Sequence, residues 1–303
     1  MTIRAVKRTS KATPAMEGAG VKLQRVFGFG DTSEFDPFLM MDDFRNDTPR
    51  DYLAGFPWHP HRGIETITYV LAGTVEHGDS LGNRGNLGAG DVQWMTAGSG
   101  ILHQEMPKGD AKGRMHGFQL WANLPSSLKM SAPRYQDVPG AEVTVLGDDD
   151  GTVVRVICGD YKGKRGPVDG IAAEPRYLDI SVPAGKRKTF AVETYRQAFA
   201  YVFEGSARFA GASEPFGVLT EREDAAGAET LVRETFGNRS LVVFDSGDEV
   251  TVEAGEQGVR FLLVSGRPIR EPIAWHGPIV MNTDAEIRQA MTEMRSGTFI
   301  KHT

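Results

Sequence analysis

Two short segments of this chain place metal-binding side chains at alternate positions. His59-Pro60-His61 stands directly before a predicted strand, and His103-Gln104-Glu105 follows the turn-forming run Gly98-Ser99-Gly100. In an extended chain alternate side chains lie on the same face, so each segment can direct two ligands toward one ion. If the segments face each other inside a small barrel, imidazoles and a carboxylate meet at one point. The spacing therefore predicts a metal site formed by His59, His61, His103 and Glu105.

This set of ligands determines which ions fit and what they can do. Imidazole nitrogens with a carboxylate oxygen suit Fe(II), Mn, Ni, Cu(II) or Zn, whereas Ca and Mg prefer oxygen ligands alone. Four protein ligands on an octahedral ion leave positions open for water, substrate or dioxygen. Open positions are typical of catalytic rather than structural sites. The pattern therefore favours a catalytic divalent ion.

Other ionisable side chains near these segments have more than one interpretation. Glu65 follows His61 with the same strand parity, so it either ligates the ion or lines the barrel and hydrogen-bonds a ligand. We favour the second interpretation. His116 is expected in the core or at the rim of the pocket, where it can support the ligands. His77 follows a predicted turn and is expected to be exposed.

Short strands separated by turns are predicted to position these residues. The 36 glycines and 16 prolines are spread along the chain, which favours many short strands over long helices. One helix is predicted after Thr283, which forms a capping box with Glu286, and it ends at Gly297. The rest indicates antiparallel sheets closed into barrels or sandwiches. Apolar runs typical of strands occupy residues 64–71, 143–146, 153–157, 177–182, 200–203, 241–244 and 259–264.

A weak internal repeat predicts two β domains. Residues 69–74 resemble residues 201–206, and a Gly-Asp pair followed by Ala-Gly recurs with the same spacing in each half. The predicted fold is therefore all-β, with two tandem antiparallel β-barrels and a C-terminal helix. We expect a metal-binding domain over residues 1–136 and a second domain over residues 137–303 that ends in the helix.

Composition argues against several classes of protein. The net charge is −6 with acidic and basic residues interspersed, so direct binding of nucleic acid is not expected. No apolar run reaches the roughly 18 residues of a membrane span. The N-terminus has no signal-peptide pattern, so a soluble, cytoplasmic protein is expected. Cys158 is the sole cysteine, which excludes an internal disulfide.

Longer motifs around the candidate ligands resemble the pirin family. Residues 56–66 (FPWHPHRGIET) are similar to the first metal motif of pirins, and residues 91–107 (DVQWMTAGSGILHQEMP) are similar to the second. Residues 36–44, 116–121 and 277–283 are similar to other pirin segments. The resemblance is dense from about residue 17 to residue 135, thinner through the middle, and returns near the C-terminus.

The resemblance implies a fold, a ligand set and an activity. Pirins are bicupins, and their metal, usually iron, is held by residues that correspond to His59, His61, His103 and Glu105 here. For bacterial-type members it implies quercetin 2,3-dioxygenase activity, which opens a flavonol ring with dioxygen. Typical cupins take their carboxylate from the first motif, which keeps Glu65 as an alternative ligand.

The second half of the chain offers no matching set of ligands. Alanine and leucine have no ligand atoms, and arginine carries a positive charge that repels a cation. We therefore expect one ion per chain. Aligning the halves through the repeat places these residues at the positions of the predicted ligands: Ala191, Glu193, Arg260 and Leu262.

The predicted function is a metal-dependent dioxygenase that acts on a flavonol. Glu105 is the predicted catalytic residue, because a carboxylate at the ion can accept the proton of the flavonol 3-hydroxyl. Flat apolar walls for the substrate are expected from Phe56, Trp58, Trp94 or Phe118.

Two alternative functions remain open. A metal-sensing or redox-sensing regulator would act by binding a partner protein, as pirins are thought to do in animal nuclei. A cupin isomerase or hydrolytic metalloenzyme acting on a sugar phosphate would need cationic side chains at the barrel mouth. Arg62 and Arg114 are the candidates nearest to the predicted ligands.

Overall fold

The computed structural model describes residues 2–169, 172–210, 220–223, 229–232 and 236–302. Strands hold 55% of the residues and helices 7%, which confirms the all-β prediction. The elements of the first half are β1 (Val6–Lys11), β2 (Thr13–Glu17), β3 (Val21–Phe27), α1 (Thr32–Phe35), β4 (Phe38–Asp43), a 3₁₀ turn (Pro49–Asp51), β5 (Phe56–His61), β6 (Ile64–Ala72), β7 (Thr74–Asp79), β8 (Arg84–Leu87), β9 (Val92–Thr96), β10 (Ile101–Lys108), β11 (His116–Asn123) and β12 (Arg134–Val138).

The second half continues with strands and ends in a long helix. Its elements are β13 (Thr144–Gly147), β14 (Val153–Cys158), β15 (Asp160–Tyr161), β16 (Lys164–Arg165), β17 (Arg176–Val182), β18 (Arg187–Ala191), β19 (Gln197–Ala210), β20 (Thr220–Glu223), β21 (Glu229–Val232), β22 (Phe236–Gly237), β23 (Ser240–Phe244), β24 (Glu249–Gly266), β25 (Ala274–His276), β26 (Ile279–Met281) and α2 (Asp284–Ser296). Among the described residues, no helix combines the length and the apolar character that crossing a membrane requires.

Two compact units are formed by the described residues. The histidine unit comprises those of Ala12–Val143, Pro167–Glu174 and Pro268–Thr303, and all seven histidines belong to it. The apolar unit comprises those of Met1–Lys11, Thr144–Gly166 and Pro175–Arg267. The chain passes from one unit to the other after residue 143, near the expected boundary at 136 and 137, but its two ends belong to the opposite units.

Hydrogen bonding and packing explain where the ends lie. β1 pairs antiparallel with β23 and so belongs to the apolar unit. α2 has the predicted capping box of Thr283 and Glu286, and it ends at Gly297, whose φ of 73° is left-handed. Its buried Ala290 packs with Ile279 of β26, which places the helix in the histidine unit. The predicted helix is confirmed, but by contacts it belongs to the histidine unit rather than to the β core of residues 137–303.

Two antiparallel sheets make up most of the histidine unit. The larger has the order β12-β9-β6-β11-β4-β3-β2, and the smaller has the order β5-β10-β7-β8. The two predicted ligand segments lie on β5 and β10, which are neighbours in the smaller sheet. Side chains of the two sheets meet inside the unit, where Thr68 of β6 donates a hydrogen bond to Glu105 of β10.

The apolar unit is built around a nine-stranded sheet with the main order β1-β23-β19-β24-β17-β14-β13. Twenty buried apolar residues form one continuous cluster on its strands, among them Phe190, Phe209 and Phe261. The rings of Phe209 and Phe261 meet edge to face with centroids 5.5 Å apart. Hydrophobic packing of this kind is a main source of stability for the unit.

Candidate metal centre

Strand pairing brings the predicted imidazoles together. β10 pairs antiparallel with β5, and His103 stands directly opposite His59. His61 lies two positions after His59, so its side chain is on the same face of the strand. The candidate ligand atoms of His59, His61 and His103 all lie within 4.8 Å of one another. Among the described residues, this is the one such group of three or more.

The hydrogen bonds of the three rings suit them for holding an ion. Nδ1 of His59 lies 2.9 Å from the carbonyl oxygen of Pro57, and Nδ1 of His61 lies 3.2 Å from that of Pro278. A proton on each Nδ1 leaves Nε2 with a free lone pair, the usual arrangement for a metal-binding histidine. His103 is fully buried, and neither of its ring nitrogens has a partner in the structure. Buried polar atoms normally have partners, so one of these nitrogens fits a bound ion.

Burial keeps these imidazoles neutral. Desolvation lowers the pKa of His59, and it lowers the pKa of His61 and of His103 well below the usual value. The neighbouring imidazoles lower the pKa of His103 further. A neutral imidazole has the lone pair that a metal requires, so the group is ready to bind at neutral pH without releasing protons.

Glu105 lies beside the imidazoles but is not one of the group whose ligand atoms all lie within 4.8 Å. It follows His103 by two positions on β10, it is buried, and it lines the same cavity as His59 and His61. Burial raises the pKa of its carboxyl to about 7, and a hydrogen bond from Thr68 Oγ1, at 3.0 Å from Oε1, opposes that change. Its role as the fourth ligand stays a prediction.

Glu65 lies in a different environment. Its Oε1 accepts a hydrogen bond of 2.7 Å from Thr96 Oγ1, and its Oε2 is buried without a partner. Burial raises the pKa of this carboxyl to about 7. Glu65 is outside the group of imidazoles and does not line the cavity beside them. Its interpretation as a residue that lines the barrel stays a prediction.

His77 differs from its prediction. It was expected to be exposed, but it is 4% exposed, with its ring 5.4 Å from that of His103. The turn-like residues around it form β7, which pairs with β10 on one side and β8 on the other, so the strand is covered. The ring of His77 stacks on Tyr135 at 4.9 Å, and its Nε2 lies 3.5 Å from Asp79 Oδ2. His77 is therefore a buried neighbour of the candidate centre.

His116 lies outside the centre. Its Nε2 is 2.6 Å from Oδ1 of Asp47, an exposed carboxylate, and it does not line the cavity at the imidazoles. Its side chain is about one quarter exposed, at 26%, so it is neither a core residue nor in contact with the candidate ligands.

A cavity of about 550 Å³ opens in front of the imidazoles. Of the four aromatic residues expected to form its walls, Phe56 lines it. Trp58 is 56% exposed and lies outside the lining, and Trp94 and Phe118 are fully buried elsewhere in the core. The aromatic side chains that line the cavity are Phe29, Phe44, Tyr52, Phe56, Trp121 and Trp275.

The cavity has a polar side as well. Thr68, Gln119 and Glu105 line it, and Thr68 Oγ1 lies 2.7 Å from Oε1 of Gln119. Further out, Arg25 forms a two-bond ion pair with the buried Asp42, and burial raises the pKa of Asp42 to about 6. Glu17, which also lines the cavity, pairs with Arg25 at 2.6 Å, so this cation is shared between two carboxylates and is committed within the wall.

The arginines considered as phosphate ligands are committed elsewhere. Arg62 is buried, donates to the carbonyl oxygens of Ser99 and Phe299, and pairs with Glu293 at 2.8 Å. Arg114 forms a two-bond pair with Asp110. Neither lines the cavity, and Arg25, the arginine that does, is paired with Asp42 and Glu17, so the described residues around the imidazoles offer no unpaired arginine to a sugar phosphate.

Residues from the end of the histidine unit hold the first ligand segment in place. Lys129 is buried and donates to the backbone oxygens of Gly63 and Val280 and to Oδ1 of Asn123. Burial lowers the pKa of Lys129 to about 7. Together with Pro278 on His61 and with the bonds of Arg62, these contacts fix the turn that directly follows the imidazole pair.

The aligned positions of the apolar unit have structural contacts. Arg260 forms a two-bond ion pair with Asp179, and Leu262 is fully buried. Glu193 pairs with Arg176 and Arg196. The expectation of a single ion per chain stays a prediction for metal analysis.

Family models match both halves of the chain. A model described as Pirin matches residues 20–122, which include all the candidate ligands. A second model, described as Pirin C-terminal cupin domain, matches residues 177–300.

Individual proteins are similar over nearly the whole chain. A pirin-like protein of Caulobacter vibrioides is 43% identical and covers 99% of this chain and 100% of its own length. A protein of Pseudomonas aeruginosa, named "Putative quercetin 2,3-dioxygenase", is 42% identical over 94% of each chain. Among solved structures, a quercetin 2,3-dioxygenase from Acinetobacter baumannii is 28% identical, with a TM-score of 0.83 over 98% of both chains.

Proposed function

The chain belongs to the pirin family and has two cupin domains, and from this premise we propose that it is a metal-dependent dioxygenase that opens a flavonol ring with dioxygen. The proposed ligands of its single ion are His59, His61, His103 and Glu105, and the proposed ion is Fe(II). The names of similar proteins support a quercetin 2,3-dioxygenase activity. The arrangement of imidazoles at the head of an aromatic cavity supports it independently.

One observation carries the metal assignment. The ring of His103 is fully buried between those of His59 and His61, at centroid distances of 4.3 and 4.9 Å, and both its nitrogens lack partners. A buried polar group without a partner costs about 1–3 kcal/mol. A bound cation removes that cost, because it accepts a lone pair from each imidazole.

The residues of the chain have separate tasks in the proposed reaction. A bound ion would supply Lewis acidity and positions for oxygen ligands. Glu105, buried beside the imidazoles, accepts the proton of the 3-hydroxyl. Thr68 orients the carboxyl of Glu105 by its hydrogen bond. The aromatic lining keeps water from the reacting ring.

The proposal is tested by turnover on protein with known metal content. Fe(II)-loaded protein is mixed with quercetin, oxygen is admitted, and loss of flavonol absorbance is followed together with oxygen uptake. We expect one dioxygen consumed per flavonol. The double variant His59→Ala/His61→Ala should be inactive, whereas His116→Ala, outside the cavity, should match the wild type.

Equal rates in the wild type and the double variant would refute the proposal for quercetin. A regulator that acts through a partner protein requires no turnover. If the wild type captures a partner stoichiometrically only with metal bound, and leaves quercetin unchanged, the regulatory function replaces the proposed one.

A further inference from the structure

A hairpin near the end of the chain forms one wall of the cavity in the histidine unit. β25 and β26 pair antiparallel around Gly277 and Pro278, and Gly277 has a left-handed φ of 54°. Trp275, Gly277 and Pro278 line the cavity together with His59 and His61. The hairpin therefore brings a tryptophan to the candidate centre from a distant part of the sequence.

Aromatic rings continue from the imidazoles to the mouth of the cavity. Trp121 meets His61 edge to face, with centroids 4.9 Å apart and planes at 87°. Trp275 follows at 6.2 Å from Trp121, and Phe29 at 4.6 Å from Trp275. Phe29 is 64% exposed, so the series reaches solvent. These three residues, which we call the aromatic wall, give one side of the cavity an unbroken ring surface.

The indole of Trp275 offers only its apolar surface. Its single donor, Nε1, is bonded to the carbonyl oxygen of Gly277 at 2.7 Å, inside the hairpin. An indole has no acceptor and no other donor, so it has no hydrogen bond left for a ligand. Aromatic rings bind other rings by offset stacking or edge contacts, which reward a flat partner.

The rest of the cavity fits a flat molecule with polar groups at one end. Gln119, Thr68 and Glu105 line the cavity near the imidazoles, where hydroxyl or carbonyl groups can be bound. A volume of about 550 Å³ is within the range of about 300–1,000 Å³ that is usual for small-molecule sites. A molecule with fused planar rings can reach both the polar end and the aromatic wall.

We propose that Trp275 is a specificity-determining residue, which selects planar, multi-ring polyphenols by stacking at the aromatic wall. This inference rests on the proposed function, since it names what the same cavity accepts. Compounds with the same hydroxyl groups but a non-planar central ring lose the stacking contact. Quercetin and dihydroquercetin are such a pair, because saturation of one ring bond makes the second molecule non-planar.

The test measures binding without turnover. Full-length protein loaded with Zn(II) is titrated with quercetin and with dihydroquercetin under nitrogen, by calorimetry. In Trp275→Ala we expect the Kd for quercetin to rise about tenfold, because one stacking contact is lost. The Kd for dihydroquercetin should change by less than about threefold. Trp275→Phe keeps a ring and should remain close to the wild type.

Two further variants serve as checks. Phe29→Ala removes the exposed end of the aromatic wall at little risk to folding. It should raise the Kd for quercetin by about threefold. Trp58→Ala removes a tryptophan that is 56% exposed and outside the cavity lining, and it should leave both Kd values unchanged. Metal content and thermal melting are measured for every variant.

The outcomes separate this inference from the proposed reaction. If wild type, Trp275→Ala and Phe29→Ala bind quercetin equally well, the proposed role of the aromatic wall is wrong, but the proposed reaction is unaffected. If quercetin binds tightly and this binding depends on Trp275, but the Fe(II) protein takes up no oxygen, the proposed reaction is wrong and the role of the aromatic wall is retained. If the wild type binds both compounds equally, or neither, selection for planar rings is wrong.

Discussion

The two β units of this chain differ in what fills them. In the apolar unit, twenty buried apolar side chains form one continuous cluster. In the histidine unit the apolar residues are divided among smaller clusters, and imidazole, carboxyl and hydroxyl groups lie between them. Strand pairing alone thus does not decide whether a unit can bind a ligand. Side chains at the inward positions decide it, because polar groups there interrupt the core and leave room for a cavity.

The two units also differ in what stabilises them. Continuous packing stabilises the apolar unit through buried area. The histidine unit retains buried nitrogens without partners, as on His103, and the binding of an ion to one of them would raise the stability of the folded state. Four substitutions test this difference, and they follow from the largest expected effect to the smallest.

Removing His103 should remove the metal. In His103→Ala we expect the ion content to fall from about one per chain to nearly zero, because the most buried imidazole of the group is lost. Elemental analysis after dialysis measures this, with His116→Ala as the matched control. A second ion in the wild type, or full metal in His103→Ala, would contradict the division between the units.

Truncating Phe261 should destabilise the apolar unit by packing alone. Phe261 is fully buried and contacts the rings of Phe190 and Phe209, so Phe261→Ala should lower the free energy of unfolding by about 3–5 kcal/mol. Denaturant unfolding of the full chain gives the value, and the metal content of folded protein should not change. Phe29→Ala, at a 64% exposed site, is the matched control with little expected effect. If both variants lose the same free energy of unfolding, the assignment of stability in the apolar unit to core packing is wrong.

Replacing Glu65 should change how stability depends on pH. Burial raises its pKa from 4.5 to about 7, so the folded state holds this proton to a higher pH than the unfolded state does. The wild type therefore loses stability as pH rises from 4.5 through about 7, and the full loss is present above that. Over this range the free energy of unfolding of metal-free Glu65→Gln should rise relative to that of the metal-free wild type, by up to about 3 kcal/mol. A difference that does not vary with pH would show that Glu65 does not titrate in this way.

Removing the hydroxyl of Thr68 should impair the orientation of Glu105 and of Gln119, which lies 2.7 Å from the same hydroxyl. Thr68→Val keeps the shape of the side chain but removes its hydrogen bond to Oε1. We expect kcat for the proposed reaction to fall about tenfold with KM nearly unchanged, and Thr68→Ser to restore it. Thr96→Val makes the same change at the partner of Glu65 and should leave kcat near the wild-type value. A rise in KM alone would indicate a substrate contact instead.

Local patterns predicted the parts of the site that depend on local geometry. Alternation along β5 was enough to place His59 and His61 on one face, since two positions along a strand share a face. Their meeting with His103 depends on the pairing of β5 with β10, which had to be assumed from the sequence. The capping box likewise predicted where α2 begins, and Gly297 predicted where it ends. These features need only the neighbouring residues, so they can be read from short segments.

Features that depend on distant segments were not predictable in this way. Turn-like residues around His77 suggested exposure, but β8 and β10 cover that strand. Trp275 reaches the cavity only because its hairpin packs in the histidine unit, and neither its spacing nor its surroundings in the sequence signals this. For the same reason, local sequence did not predict that the N-terminal strand belongs to the apolar unit, because this depends on the pairing of β1 with β23.

The carbonyl of Pro278 on the ring of His61 has a consequence for the order of events during synthesis. This contact joins residues 217 positions apart, and the partners of Arg62 on α2 and beyond are made later still. A growing chain that has emerged only through β12 already has Pro57, the partner of His59, but lacks the carbonyl that orients His61. Although domains often fold in order from the N-terminus, this contact forms only after residue 278 has been made, so an ion taken up earlier would be held without the final hydrogen bond on His61.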